Sequence, residues 1–277
     1  MKRIIAAFDG LKYCESTAAY AIDVAKKCHA AVIGVFLEDV TYHSFSLVNM
    51  AEQDNAIESH TRHLSSADQQ SSDHSVKLFI HSCKNARVKY TIHRDRNIAI
   101  QELLQESLFA DLIIVQKKET LTHFSEDSPT RFIADLLERT SCPVLLVSEY
   151  YHPMEETLFL YDGGLSAMFA LKQFSCIFSG KTGSLQVLSV RQEKQEQVLP
   201  DAHLFKEWVN DNFASLQYAI LSGRSEEEII AQLKREARYP VVILGAYGRS
   251  RASRWVRPSL ADRIMNQFDL PLFIAHQ

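Results

Sequence analysis

The sequence runs through the same order of apolar segments twice. "RIIAAFDG" (3–10) returns as "TLFLYDGG" (157–164), "ADLIIVQ" (110–116) as "YPVVILG" (239–245), and "CPVLLVS" (142–148) as "LPLFIAH" (270–276). An internal repeat of this length constrains the fold more than any local signal, because both copies must satisfy the same architecture. Asp9 and Asp162 are 153 residues apart and Gln116 and Gly245 are 129 apart, so the first copy carries 24 additional residues between these points. The polar, proline-containing stretch "SEYYHPMEE" (148–156) reads as a linker. Two domains follow, 1–148 and 156–277, with the long insert of the first inside 43–86.

Within each copy the apolar runs are short and continuous, the pattern of strands covered on both faces of a parallel sheet. They fall near 3–8, 31–37, 88–93, 111–116 and 143–147, and again near 157–161, 184–190, 215–220, 240–245 and 271–275. Helical patterns lie between them. In "STAAYAIDVAKKC", Ala18, Ala21, Ile22 and Ala25 share one stripe, and in "SLADRIMNQF" Leu260, Ala261, Ile264, Met265 and Phe268 do the same. Pro143 and Pro271 open the last strand of each copy, where a missing N–H is tolerated. Strand–helix alternation of this kind builds βαβ units. The expected fold is α/β: two tandem, doubly wound, five-stranded parallel-sheet domains of Rossmann-like form. The insert is expected to lengthen the second helix of the first copy, its Ser/Gln/Asp-rich middle (65–75) being either a solvated helix face or a loop.

Composition removes several classes of function. A net charge of −4 gives no electrostatic reason to expect nucleic acid or an anionic membrane surface as a partner. The apolar run after "MKR" is cut at Asp9, too short for a signal peptide, and no stretch approaches a membrane span. Five widely spaced cysteines without a C-x-x-C argue for a reducing cytoplasm rather than a disulfide framework. His60 and His63 lie three apart without a third ligand in register, and no metal site is expected. No Walker A lysine follows a glycine loop, and "DGGLS" (162–166) lacks the flanking glycines of a nucleophile elbow.

The segment "GAYGRSRASRWVRPSLADR" (245–263) carries the chemistry. Gly245 and Gly248 remove Cβ atoms where backbone must approach a ligand closely. Ser259 stands at the start of a helix, where free N–H groups and the macrodipole favour a phosphate. Arg249, Arg251, Arg254 and Arg257 are available for phosphate oxygens, or form a solvated basic loop. In a doubly wound sheet, ligands collect beyond the carboxyl ends of the strands where the strand order reverses, between the first and fourth strands.

With these residues the chain resembles the universal stress proteins, as two such domains in tandem, and the resemblance covers nearly its whole length. The family's nucleotide motif is G-x-x-G, nine residues, then G-[S/T]; Gly245, Gly248 and Ser259 match it, and Pro258 stands at the third glycine. The resemblance implies the adenine nucleotide alpha hydrolase-like fold and an ATP-like adenine nucleotide held by Asp162, Gly245, Gly248, Ser259 and Leu260, with Arg249 and Arg251 on the phosphates. It also implies that the two halves pack through their last strands as a pseudo-dimer within one chain, leaving a homodimer of chains open. Pro258 removes one N–H donor, and a lost hydrogen bond to a phosphate costs about 1.5–3 kcal/mol. The first copy departs further, with Gln116 and Glu119 where the glycines fall and Thr130-Arg131 where the Gly-[Ser/Thr] pair belongs. Asp9 and Gln116 are then a vestigial site. The functional expectation is a non-catalytic, cytoplasmic stress-response regulator that binds one adenine nucleotide in its C-terminal domain. The alternatives are an interaction or scaffold protein without nucleotide, and a slow ATP hydrolase.

Overall fold

The structure is a computed structural model of the 277-residue chain. It describes residues 2–38, 57–95, 98–122, 125–178, 183–192, 197–223, 225–235, 239–246 and 260–276. The chain divides into two compact units, Met1–Cys142 and Pro143–Gln277. The division falls six residues before the first repeat ends at 148, so the "VLLV" strand counts with the second unit.

The first unit runs β1 (Arg3–Asp9), α1 (Glu15–Cys28), β2 (Ala31–Leu37), α2 (Ile57–Ala86), β3 (Tyr90–Asp95), α3 (Ala99–Ser107), β4 (Leu112–Gln116) and α4 (Arg131–Arg139). Its strands lie in the order β3-β2-β1-β4, all parallel. The second unit runs β5 (Val144–Val147), β6 (Thr157–Leu160), α5 (Leu165–Ile177), β7 (Ser184–Arg191), α6 (Ala202–Asn212), β8 (Ser215–Ser222), α7 (Ser225–Arg235), β9 (Val241–Gly245), α8 (Leu260–Gln267) and β10 (Leu272–Ala275). Its order is β5-β10-β9-β6-β7-β8. The five strands of the second repeat are parallel, and β5 runs antiparallel along β10 with Leu145 opposite Phe273. All four residues of β5 and of β10 are buried. Each therefore covers an apolar edge of the other that water would otherwise meet.

The strands form where the sequence places them, and for the central ones the reason is burial on both faces. Ile4 to Phe8 of β1 and Leu112 to Val115 of β4 are at most 1% exposed. The helices obey the same logic with one rotation. The stripe of α1 turned to the sheet is Thr17, Ala18, Ala21, Val24 and Ala25, whereas Ile22 is only half-buried. Ser16 and Tyr20 are buried as well, so burial on α1 reaches beyond the one stripe that Ile22 was expected to join. Cys14 caps this helix, its Sγ accepting from the Thr17 N–H, and His29 ends it in the left-handed region. In α8 the buried residues are Ala261, Ile264 and Met265; Leu260 and Phe268 are half-buried.

The insert of the first copy forms the long helix α2, whose described side chains bury Ser72, Ser75, Val76, Phe79 and Cys83 at three- and four-residue spacing. The polar middle is thus only partly solvent-facing, because Ser72 turns inward and donates to Glu38 Oε1 at 2.7 Å. Phe79 anchors α2 to the sheet. Its ring meets Phe8 edge-on at 5.4 Å, Phe36 at 5.9 Å and Tyr90 at 6.4 Å, and Phe8 stacks on Phe36 at 4.9 Å. Burial pushes the thiols of Cys83 and Cys142 up to about 12, which keeps both protonated and unreactive. Among the described residues no helix is long and apolar enough to cross a membrane.

A Cβ on Gly34 would stand 2.6 Å from the Phe79 ring. Phe79→Ala is expected to cost ~3–5 kcal/mol in urea unfolding. Gly34→Ala should be destabilising in the native background and less so beside Phe79→Ala, since the nearest clash is gone and only the Phe36 ring at 3.1 Å remains. Additive costs in that double-mutant cycle would contradict the packing described.

Candidate functional site

In the second unit the chain builds outward from β6 in both directions, through β7 to β8 on one side and β9 to β10 on the other. The strand order therefore reverses between β6 and β9, which pair directly with Phe159 opposite Ile243. Continuing that register sets Gly245, the last residue of β9, level with Tyr161, and Asp162 follows at once. The two sequence-predicted residues thus share the carboxyl-end crevice of adjacent strands, the place where doubly wound sheets take ligands.

Asp162 is exposed, and its Oδ1 accepts from the Gly164 N–H at 2.7 Å, closing a tight turn from β6 into α5. The turn needs Gly163, whose φ is +85° and whose absent Cβ would lie 2.6 Å from Pro200. Gly245 has a steric reason of its own. A Cβ there would stand 2.2 Å from the carbonyl carbon of Ser166, in the first turn of α5. This glycine lets the N-terminal turn of α5 press against the end of β9. Gly164 at the N-cap supplies no side-chain hydrogen bond, so the first-turn N–H groups carry no side-chain cap beside the crevice. Sequence reading missed this helix start; two glycines between a buried strand and an apolar helix were the available signal. Leu260 is the first residue of α8 and half-buried. Gly248, Arg249, Arg251, Arg254, Arg257, Pro258 and Ser259 lie outside the described residues.

The first unit solves the same crevice differently. Here β1 and β4 are the adjacent strands, with Asp9 ending one and Gln116 the other. Asp9 Oδ1 accepts from the Leu11 N–H at 2.9 Å, a turn like that of Asp162. Glu119, at the second glycine position, is 8% exposed. Its Oε1 accepts from the N–H groups of Thr120 and Leu121, each at 3.0 Å. Two backbone donors that could face an anion are engaged by the chain's own carboxylate. Burial raises the Glu119 carboxyl above its ordinary value, and the Asp9 charge raises it further, while the Leu121 and Thr120 N–H groups and Lys12 oppose the shift.

The helix that follows corrects the register of the motif in this copy. Thr130 is the N-cap of α4, its Oγ1 accepting from Ile133 N–H at 3.2 Å and donating to the Glu119 carbonyl. The residue before α8 is Ser259. Thr130 therefore corresponds to Ser259, and the pair at the motif's end is Pro129-Thr130 rather than Thr130-Arg131. Both copies carry proline directly before the hydroxyl residue.

The class of protein is defined at this point: a doubly wound α/β chain whose strand order reverses at β1/β4 and again at β6/β9. Neither a family model nor a curated protein matches the chain. Solved structures match its fold along the whole length. It is similar to a universal stress protein from Archaeoglobus fulgidus DSM 4304 at 13% identity, covering 99% of this chain and 98% of that one with a TM-score of 0.69. A putative universal stress protein from Pseudomonas aeruginosa UCBPP-PA14 is 14% identical, covers 100% and 93%, and has a TM-score of 0.58. A protein of unknown function from Pseudomonas aeruginosa PAO1 is similar at 13% identity, 100% and 92% coverage and a TM-score of 0.59. The chain has the universal stress protein fold. Among the described residues no group of three or more His, Cys, Asp or Glu is placed to hold a metal ion.

Two expectations follow from the crevices. Unfolded, Glu119 ionises near 4.5; folded, it holds its proton to higher pH. Its contribution is fully present below the unfolded value and is lost as pH rises through the folded one. The stability of Glu119→Gln relative to the native protein should therefore grow between pH 4 and pH 8 in urea melts, and a difference flat with pH would refute the buried carboxylate. Gly245→Ala should lose at least ~2 kcal/mol with or without nucleotide, because its Cβ meets helix backbone rather than a movable side chain. Native-like melting of that variant would remove the steric role.

Proposed function

We propose that the protein is a non-catalytic regulator of the stress-response type, which binds one adenine nucleotide per chain in the switch-point crevice of the second unit. The observation that carries this reading is the contrast between the two crevices. In the second unit Asp162 and Gly245 flank the reversal point beside a helix start without a side-chain cap. In the first, the equivalent loop is filled by the buried carboxylate of Glu119. The phosphates would be held by the 245–259 segment, with Gly248, Ser259, Arg249 and Arg251 as the contacts and Leu260 against the nucleotide. Binding rather than turnover is proposed because that segment offers phosphate donors but neither a base nor metal-binding carboxylates.

An interaction protein without nucleotide is the second reading. It is favoured by one observation: Asp162 is already satisfied by Gly164 N–H, and Gly245 is already required by α5.

Calorimetry with ATP and AMP separates the two. One site per chain is expected, at micromolar affinity or weaker. Gly248→Val should abolish binding without lowering the melting temperature, and Pro258→Gly should tighten it about tenfold by restoring an N–H. Two equivalent sites, or binding indifferent to Gly248→Val, would reject the one-site reading. Absence of binding in every variant would favour the interaction protein.

A further inference from the structure

The position at the carboxyl end of the second strand inverts its charge between the two repeats. Asp9 stands opposite Leu37, so the next pair along is Gly10 and Glu38, and a Cβ on Gly10 would meet the Glu38 Cγ at 2.7 Å. In the second repeat Leu160 stands opposite Leu188, and continuing that register sets Gly163 level with Arg191, the last residue of β7. Arg191 therefore takes the place of Glu38, one strand away from the Asp162 turn. Glu38 accepts from the Ser72 hydroxyl of α2, whereas Arg191 Nε donates to the Val198 carbonyl at 3.2 Å. The segment 198–200 in turn lies on the Asp162 turn. The Tyr161 hydroxyl donates to the Pro200 carbonyl at 3.3 Å, and Pro200 fills the space that a Cβ on Gly163 would need. The half-buried Arg191 is thus held against the wall of the crevice, and among the described residues no carboxylate pairs with it. Burial raises the Tyr161 hydroxyl above its ordinary value, the Asp201 and Asp162 charges add to this, and Arg191 opposes them, so three charges act on one spot.

We propose that Arg191 makes the second-unit crevice selective for adenine nucleotides that carry an additional phosphate on the ribose. This rests on the reading of that crevice as an adenine nucleotide site. With the 5′-phosphates on the 245–259 segment after β9, the ligand crosses the switch point and its ribose falls on the β6–β7 side. In doubly wound sheets a residue at the end of the second strand meets the ribose: an acid there suits a free hydroxyl, and an arginine accommodates a phosphate. The first repeat carries the acid at this position and the second carries the arginine. With Nε engaged by Val198, the Nη groups of Arg191 remain as donors for phosphate oxygens. Of the charges that act on Tyr161, Arg191 is the positive one. It offsets Asp162 and Asp201, which would otherwise repel a second phosphate.

Calorimetry on the full chain with AMP, adenosine 2′,5′-bisphosphate and adenosine 3′,5′-bisphosphate tests this, the two bisphosphates showing which hydroxyl carries the phosphate. One of them should bind roughly tenfold more tightly than AMP. Arg191→Gln should bring that ratio to about one. Arg191→Lys, which keeps the charge but loses the planar fork, should reduce it to a few-fold, and serves alone should Arg191→Gln lose its native far-UV dichroism. Lys206→Gln, the same loss of charge on α6, should leave the ratio unaltered. A native chain that binds AMP and both bisphosphates with equal affinity overturns the proposal while the nucleotide site stands. A preference that survives both Arg191 variants, or that Lys206→Gln abolishes as well, overturns it too. A native chain that binds none of the three rejects the site and the proposal together.

Discussion

Burial of the central parallel strands on both faces is the constraint from which the rest follows. β1 and β4 in the first unit, and β6 and β9 in the second, are flanked by strands on both sides or by helices above and below, and their apolar runs meet almost no water. Parallel neighbours cannot be joined by hairpins, so the connections between them carry helices over the sheet. Because the strands are parallel, all their carboxyl ends emerge on one side of each sheet. The reversal of strand order then leaves one crevice per unit, and its position is a property of topology before any residue is chosen to line it.

The two crevices show how one backbone plan accepts different chemistry. At β6/β9 a glycine allows a helix start to come within contact of the strand end, and an aspartate ties off the turn beside it. At β1/β4 a glutamate folds back onto the N–H groups of the next two residues and is shut away from solvent. A negative charge kept there without an external partner is costly, which is why the carboxyl holds its proton to unusual pH. In the sequence, proline precedes the hydroxyl residue in both copies, as Pro129-Thr130 and Pro258-Ser259, and in the first copy that hydroxyl caps α4.

Much of this was legible in the residues. Apolar runs located the ten expected strands to within about two residues at each end, and in the central strands burial on both faces leaves no alternation to misread. Asp9, Asp162, Gln116 and Gly245 fell at strand ends for the same reason. The orientation of α1 was less legible: alanines carry little directional signal, and Ile22 drew the expected stripe away from Val24. Glu119 read only as an acidic residue at a glycine position, since nothing in a sequence tells whether a carboxylate points at solvent or at its own backbone. The need for glycine at 245 was likewise hidden, because it arises from Ser166, almost eighty residues earlier. The register of Thr130 was legible by counting, since nine residues after Glu119 end at Ser128 and leave Pro129-Thr130 as the pair, and the helix start agrees with it.

The antiparallel partnership of β5 and β10 also sets an order of events during synthesis. Leu146 pairs with Leu272, so the two strands are separated by nearly half the chain. At translation rates of ~5–20 residues per second, β5 leaves the ribosome roughly 6–25 s before its partner exists. During that interval "VLLV" has an uncovered edge on a growing chain, and the four intervening strands must assemble without capturing it. Synthesis of β10 is then the event that covers this edge of β5.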